Sequence, residues 1–335
     1  REPGYNRFFV ELSLFALGVL LIVLAGSIEV AFAGWELVGL SSALLIAFFH
    51  ERPAPVRSGL WTLAVYRTTD LGILGAAALI HHLHHTGNYD AFLGPAWPTG
   101  PSPLAGGEAT AALLLLLFAV LGKGAQLPFS GWLPRAMEGP TPSSAIFYGA
   151  LSIHAGAFLL LRMGPLLNQS PAAAAAVVAF GLATAVHATM VGRAQTDIKS
   201  ALAYASLTQV GIILAEIGLG LRWIPLVHML GHMSVRSLQL LRAPSVLYDF
   251  HRLETAVGGH LPQTGAHLER LVPERLRRRL YVAALERWYL DGLLLRLIAP
   301  ALGLLRRLDA LEHRWCAWIG GRRPEARRGE EGGGG

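Results

Sequence analysis

Residues Leu121–Ser144 read LGKGAQLPFSGWLPRAMEGPTPSS and follow an apolar run from Ala111 to Leu121. The run predicts a membrane helix that carries Lys123 to bilayer depth, where an unpaired charge costs at least ~3 kcal/mol. Glycines flank the lysine, and Pro128 removes a backbone donor, so the helix is expected to break just past Lys123. Backbone groups freed at that depth need protein or a water-filled cavity as partners. These features indicate an ion path; the alternative is a lysine that snorkels from a helix end.

Lysine is rare in this chain, since Lys123 and Lys199 are its only two examples among 28 basic residues. Arginine holds its proton wherever a fixed charge is enough, whereas a buried lysine can release its proton. Lys123 is therefore a candidate for proton transfer. Lys199 follows Asp197, which is expected to cap the start of a helix. It either borders a polar path or snorkels to the membrane interface.

The composition is that of an integral membrane protein with a polar tail, because 53% of the 335 residues are hydrophobic and 15% are charged. The net charge of +6 is concentrated in the last hundred residues. In a membrane protein this bias predicts a cytoplasmic segment before it suggests nucleic acid. The single cysteine, Cys316, excludes an internal disulfide. Because Arg1 opens the chain without a methionine, we expect a fragment or a processed product.

Eight apolar segments are long enough to cross a membrane: 8–26, 28–49, 59–82, 110–129, 142–163, 172–192, 199–219 and 223–241. With these eight spans, most of the loops that contain arginine fall on one side of the membrane. The loop 81–110, on the other side, has no lysine or arginine. The positive-inside rule therefore places both ends of the chain in the cytoplasm and this loop outside.

Three regions are predicted from these patterns. Residues 1–242 form the membrane domain, and 243–322 form a basic cytoplasmic segment. Within the second region, Tyr281 to Leu308 is apolar but interrupted by charges. A spanning helix there would export the basic tail, so an amphipathic helix on the membrane or on a partner is preferred. Residues 323–335 are expected to be disordered by composition.

Charged residues inside the predicted spans are candidates for function. Glu36 lies mid-segment among small residues that permit close helix approach; its alternative role is a structural hydrogen-bonding group. Arg67 and Asp70 are one helical turn apart and can pair on one helix face. That pair is either a switch that changes partners or a static ion pair.

Histidines near the last span suggest a proton relay. His228, His232 and Arg236 fall at i, i+4 and i+8, a single stripe on a helix. Histidine exchanges protons near physiological pH, which suits a relay, whereas arginine at position 236 cannot release its proton. A metal site would need a third ligand, which this stripe lacks. His154 either extends the relay or is a satisfied core histidine.

The segment 122–145, GKGAQLPFSGWLPRAMEGPTPSSA, resembles the signature of the antiporter-like membrane subunits of complex I and the Mrp antiporters. GWELVGLSS at Gly34–Ser42 and DIKSALAYASLTQVG at Asp197–Gly211 extend the resemblance, which covers roughly residues 5–245. FYGALSIHAG at Phe147–Gly156 and HMSVRSLQLLRAPS at His232–Ser245 resemble the DabB branch, the membrane subunit of the DabA–DabB inorganic carbon pump.

The resemblance implies an all-α polytopic fold of inverted repeats. This chain would contain one five-helix unit, 8–163, and only the start of its repeat, 172–241, so the architecture is incomplete. It also implies that Glu36 and Lys123 face each other, that Lys199 borders a hydrophilic axis, and that a lysine usually stands where this chain has Arg236.

The sequence thus predicts a bacterial inner-membrane protein that conducts protons, or alternatively sodium ions, along Glu36, Lys123, His154, His228 and His232. Resemblance to the DabB branch implies a DabA-like soluble zinc subunit related to carbonic anhydrase as partner, with cation flow driving carbon dioxide hydration there. No enzyme activity and no cofactor are expected in this chain, because it has no catalytic, phosphate-binding or nicotinamide motif. Two alternatives remain: an ordinary complex I or Mrp subunit, and a non-conducting anchor.

Overall fold

The structure is a computed structural model that describes residues 3–98, 100–258 and 272–319. It divides into two compact units, residues 1–288 and 289–335. The helices of the first unit are, in chain order, α1 (Tyr5–Leu24), α2 (Ile28–Ile46), α3 (Pro53–His84), α4 (Tyr89–Leu93), α5 (Gly106–Lys123), α6 (Trp132–Arg135), α7 (Thr141–Ser143), α8 (Ser152–Arg162), α9 (Gly164–Leu167), α10 (Pro171–Arg193), α11 (Ile198–Gly218), α12 (Trp223–Val257) and α13 (Glu274–Leu285).

The predicted helical membrane fold is confirmed. Seven helices of the described residues are long and apolar enough to cross a membrane: α1, α2, α3, α5, the run Thr141–Arg162, α10 and α11. Within the described ranges the only strand-type pairing is an isolated bridge between Ser27 and Asn88. The chain is a multi-pass membrane protein.

The eighth predicted span, 223–241, is helical but is not among the apolar candidates. It is the first part of α12, whose face carries His228, His232 and Arg236 and is correspondingly less apolar. The helix also continues to Val257, so the boundary predicted at 242 falls inside it. Among the described residues, seven of the eight predicted spans therefore qualify by length and composition, and the eighth is helical.

Glycines bring the backbones of paired helices together. A Cβ atom on Gly34 of α2 would lie 2.6 Å from the carbonyl oxygen of Gly18 in α1. A Cβ on Gly181 of α10 would lie 2.5 Å from the carbonyl of Gly211 in α11. Membrane helices associate through such close contacts between small residues. The closely packed pairs α1–α2 and α10–α11 are parts of the bundle in which the charged residues lie.

The helix break predicted after Lys123 is confirmed. Helix α5 ends at Lys123, and Ala125 adopts a φ of 51°, in the left-handed region. The amide of Gln126 donates to the carbonyl of Leu121 at 2.8 Å, and that of Leu127 donates to Oγ1 of Thr184 at 3.0 Å. Protein groups therefore satisfy backbone freed at membrane depth. The break begins at the lysine itself, ahead of Pro128.

The helical run Thr141–Arg162 changes type along its length. Residues Ser144–Leu151 have the wider π-helical hydrogen bonding, and α8 follows from Ser152. Such segments occur frequently at functional sites. The change places His154 in the first turn of α8.

The loop 81–110 is fastened by Arg162 at the end of α8. Its guanidinium donates to the carbonyl oxygens of Val23 at 3.1 Å and Ala25 at 2.6 Å, which end α1. The indole of Trp97 donates to the carbonyl of Arg162 at 2.9 Å. Burial raises the pKa of nearby Tyr89 to about 12, against the opposing effect of the Arg162 cation. Arg162 thus satisfies orphan carbonyls of α1 while it holds the loop.

The second compact unit, within its described part, consists of one helix, α14 (Leu290–Ile319). The single amphipathic segment predicted from Tyr281 to Leu308 is wrong in its bounds. Helix α13 ends at Leu285, and non-helical backbone at Trp288 (φ 58°) separates it from α14. The tail 323–335, predicted to be disordered, lies outside the described residues.

Candidate functional site

A lysine occupies the centre of the bundle. The side chain of Lys123, at the end of α5, has 0% exposure. Its ammonium donates to the carbonyl oxygen of Trp35 at 3.1 Å and lies 4.1 Å from the centre of the Tyr66 ring. Aromatic faces attract a cation in such positions. Lys123 is therefore a buried cation and does not snorkel to the interface.

The carboxylate nearest to Lys123 belongs to α3. Oδ1 of Asp70 lies 3.7 Å from the Lys123 ammonium and accepts a hydrogen bond of 2.6 Å from the indole of Trp35. Oδ2 of Asp70 is buried and has no hydrogen-bond partner among the described residues. The separation of 3.7 Å makes an ion pair that is too long for a hydrogen bond. Trp35 contacts both charges, one through its carbonyl and the other through its indole.

Glu36 pairs with a different cation. Its carboxylate forms an ion pair with the guanidinium of Arg67, and the two side chains are 23% and 45% exposed. Sequence spacing allowed Arg67 to pair with Asp70, and the family resemblance placed Glu36 opposite Lys123. Both pairings are wrong in this conformation, because α3 turns Arg67 toward α2 and Asp70 toward α5.

Two glycines make room for this cluster. A Cβ on Gly39 of α2 would lie 2.8 Å from the Lys123 ammonium and 3.7 Å from Nη2 of Arg67. A Cβ on Gly122 would lie 1.9 Å from Oγ1 of Thr69. Both cations thus border Gly39, and α5 reaches α3 closely only because position 122 has no side chain.

A second cluster joins α8 to α12 through two histidines. Nε2 of His154 lies 3.0 Å from Nδ1 of His232, and Nδ1 of His154 faces the carbonyl oxygen of Ala150. A carbonyl only accepts, so Nδ1 of His154 carries a proton and, in a neutral ring, Nε2 accepts. His232 then donates from Nδ1, which leaves its Nε2 as an acceptor.

That acceptor faces no described partner. Nε2 of His232 and Nε of Arg236 are both buried and lack hydrogen bonds to described residues. His232 and Arg236 lie one turn apart on α12, with 9% and 7% exposure. Two members of the predicted stripe, His232 and Arg236, therefore face the interior of the bundle. His154 contacts the stripe through His232.

The third member of the stripe, His228, belongs to a separate group. Its Nδ1 lies 3.0 Å from Oε1 of Glu216, and its Nε2 lies 3.0 Å from Oε1 of Gln209. Both ring nitrogens face oxygen atoms of α11, an arrangement that an imidazolium satisfies by donating twice. The Glu216 side chain is 18% exposed and pairs with His228.

Comparison with known proteins identifies the fold and its relatives. Residues 25–258 match the family described as NADH:quinone oxidoreductase/Mrp antiporter, transmembrane. The chain belongs to this family. The family resemblance predicted from the sequence motifs is confirmed, whereas the narrower DabB resemblance stays a prediction.

Several relatives of this antiporter-like chain are named as chains or subunits of NADH oxidoreductases. It is 34% identical over 250 residues to NADH-ubiquinone oxidoreductase chain 5 of Allomyces macrogynus, covering 75% of this chain and 38% of that one. It is 35% identical over 255 residues to NADH-quinone oxidoreductase subunit L of Rhodobacter capsulatus, covering 75% and 36%. The chain spans roughly two fifths of the length of these relatives.

A solved structure supports the same assignment. The Mrp complex from Dietzia sp. DQ12-45-1b contains a chain that matches with a TM-score of 0.63 and 31% identity. The match covers 69% of this chain and 25% of that one. The antiporter-like fold predicted for this protein is thereby confirmed.

Other polar residues of the antiporter-like chain lie outside the two clusters. Lys199 lies in the first turn of α11, partly exposed, behind the Asp197 cap whose carboxylate accepts from the amide of Ser200 at 2.7 Å. His187 contacts Oγ of Ser130 at 3.2 Å and so ties the broken segment to α10. His81 pairs with Glu29. The described residues contain no group of three or more side chains placed to hold a metal.

Sequence reasoning missed Trp35, Gly39, Glu216 and Gln209. A signal existed for Glu216, since positions 216 and 228 are equally far from the turn at 222 that joins α11 and α12. Gln209 lies two turns before Glu216 on the same helix face. No sequence signal distinguished Trp35 from other buried aromatic residues.

Proposed function

We propose that this chain is an antiporter-like subunit that moves protons across a membrane within a multi-subunit complex. The observation that carries the proposal is the fully buried Lys123, held between the Asp70 carboxylate and the Trp35 carbonyl. A buried charge in a membrane protein is costly unless it is paired, and such residues mark ion pathways. Membership of the antiporter family and the subunit names of its relatives support the same function.

The four charges around α3 suggest how a proton is loaded and released. Glu36 with Arg67, and Asp70 with Lys123, form two neutral pairs. When Lys123 gives up its proton, Asp70 loses its compensating charge. Arg67 lies one turn from Asp70 on the same helix and can compensate it instead. That exchange frees Glu36, so proton release at Lys123 becomes coupled to a charge change at α2.

The histidine clusters extend the path toward α12. Tyr66, which lies against the Lys123 ammonium, has its hydroxyl 3.5 Å from Oγ of Ser152 in α8. His154 follows two residues later and contacts His232. No hydrogen bond between described residues joins Lys123 to His154, so mobile water is proposed to carry the proton between them. Lys199, at the polar start of α11, is proposed as a residue near one mouth of the path.

A proton is favoured over a sodium ion as the transported species. The groups proposed to carry it are lysine and histidine nitrogens, which bind protons. The two nearby carboxylates that could bind sodium already have side-chain partners: Glu36 pairs with Arg67, and Asp70 contacts Lys123 and the Trp35 indole. The fixed positive charge of Arg236 is proposed to alter the electrostatic potential at His232. Arg236 itself does not transfer a proton, because arginine does not release one in proteins.

Proton movement can be measured directly. The complex that contains this chain is reconstituted into vesicles with a trapped pH-sensitive dye, and flux is driven by a pH gradient. Lys123→Ala is expected to abolish the part of the flux that depends on this chain. Substitution of the exposed Leu219, at the end of α11, by alanine is the matched control and is expected to leave flux unchanged. Equal flux in all three proteins would reject conduction and favour the non-conducting anchor.

A narrower function, inorganic carbon uptake with a DabA-like zinc subunit, is the second candidate. Its support is the pair of stretches 147–156 and 232–245, whose histidines His154 and His232 contact each other. In that case zinc and carbon dioxide hydration belong to the partner subunit. Purification of the chain from its own membranes separates the candidates. A stoichiometric soluble zinc protein supports carbon uptake, and a set of membrane subunits supports a complex I or Mrp assembly.

A further inference from the structure

A pocket of about 720 Å³ lies at the end of α10, away from the charged centre. The last turn of α10, the connection 194–196 and one face of α13 form its walls. Thr189, Arg193, Arg277, Arg278 and Tyr281 are among the lining residues. Helix α10 is a candidate span to Gly192, so the pocket lies where that helix reaches the membrane boundary.

The pocket carries an excess of positive charge. Arg193, Arg277 and Arg278 line it against one acidic residue, Glu274. The side chains of Arg277 and Arg278 are exposed. Three arginines against one carboxylate at one pocket favour an anionic ligand, and arginine suits phosphate especially.

An apolar stripe on α10 leads into the same pocket. Leu182 and Val186 are 50% and 62% exposed. At helical spacing they share a face with Thr189 and Arg193, which line the pocket one and two turns later. A ligand that occupies both features needs an anionic head and an apolar tail. Free phosphate would use only the arginines.

We propose that this pocket binds the headgroup of an anionic phospholipid, whose acyl chain lies along Leu182 and Val186 of α10. Basic pockets beside membrane helices bind the headgroups of such lipids. Tyr281 also lines the pocket, and aromatic residues of this kind are enriched at membrane interfaces. The lipid would anchor α13 against the end of α10. This site is independent of the proposed proton path.

Lipid binding is tested on the full chain purified in detergent, with native mass spectrometry as the readout. Phosphatidylglycerol is titrated against phosphatidylcholine. The double variant Arg277→Gln/Arg278→Gln is expected to lose about tenfold or more in phosphatidylglycerol affinity, since each surface arginine contributes measurably to binding anionic lipid. Arg275→Gln/Arg279→Gln removes the same charge from α13 outside the pocket and is expected to change affinity by less than about twofold.

Further outcomes decide the source of the bound anion. Arg277→Lys/Arg278→Lys should keep phosphatidylglycerol binding, which guards against a folding defect in the glutamine variant. Equal affinity for phosphatidylcholine, or equal losses in the two glutamine pairs, would overturn the proposal. Inorganic phosphate or glycerophosphoglycerol that binds as tightly as the intact lipid would also overturn it, because the site would then recognise a free anion.

Discussion

The ammonium of Lys123 lies 3.7 Å from Oδ1 of Asp70, and both side chains are buried. One turn earlier on α3, Arg67 pairs with Glu36 of α2. Helix α3 therefore supplies one charge to each neighbour, an anion to α5 and a cation to α2. A change of charge on α5 or α2 alters the electrostatic interactions of the same helical turn of α3. That turn is therefore the coupling element of the proposed mechanism.

Asp70→Asn should destabilise the protein, because it leaves the Lys123 cation buried without its counter-ion. Removal of one partner from a buried ion pair costs about 3–5 kcal/mol. Lys123→Met should destabilise it for the reciprocal reason. In the double variant both charges are gone, so part of the stability should return. Unfolding of the four proteins in detergent measures the coupling; strictly additive losses would mean that the two residues do not interact.

Gly39→Ala tests whether the position of the Lys123 ammonium matters apart from its charge. The added methyl group would lie 2.8 Å from Nζ, so the flexible end of the lysine must move. We expect little loss of stability and a several-fold loss of proton flux. Gly231→Ala on α12 is the control, because a Cβ there meets nothing within 4 Å. Normal flux in Gly39→Ala would show that the lysine tolerates displacement.

The tautomer assignment at His154 and His232 predicts different effects for two substitutions. In His232→Asn, the amide nitrogen can replace Nδ1 as donor to His154 but provides no second nitrogen. The fold should survive and proton flux should fall. In His232→Leu, His154 keeps an unpaired buried nitrogen, which costs about 1–3 kcal/mol. Full flux in His232→Asn would remove His232 from the relay.

Arg236→Lys should be tolerated, since only a fixed charge is required at position 236.

Much of the fold was predictable because it depends on local patterns. Apolar runs located seven membrane helices, and glycines beside Lys123 located the break at the end of α5. The eighth predicted span, 223–241, is helical too, although polar residues on α12 lower its hydropathy. The family could also be recognised, because its motif at 122–145 is long and specific.

The pairing of charges could not be predicted from sequence. Spacing allowed Arg67 to meet Asp70, but helix rotation sends the two side chains to different neighbours. Rotation depends on close contacts such as that of Gly122 with Thr69, which sequence periodicity does not reveal. The membership of His154, His228 and His232 in a transport path remains a prediction, although the structure brings the first and third into contact.

Sidedness is a further prediction that the bundle alone does not decide. The arginine-rich segment after α12 is expected in the cytoplasm, because arginines are hard to export. Cys316 is an exposed free thiol on α14 and reports its location. An impermeant thiol reagent should label it in inverted membrane vesicles and leave it unlabelled in intact cells. Labelling from the outside of intact cells would reverse the proposed topology.

The most direct test of the central claim is proton flux through reconstituted complexes that carry Lys123→Arg. Arginine preserves the positive charge beside Asp70 but keeps its proton at any relevant pH. If Lys123 carries the proton, flux in Lys123→Arg should be nearly as low as in Lys123→Ala, with equal amounts of protein in the membrane. Full flux in Lys123→Arg would contradict the account, because Lys123 would then act only as a fixed charge.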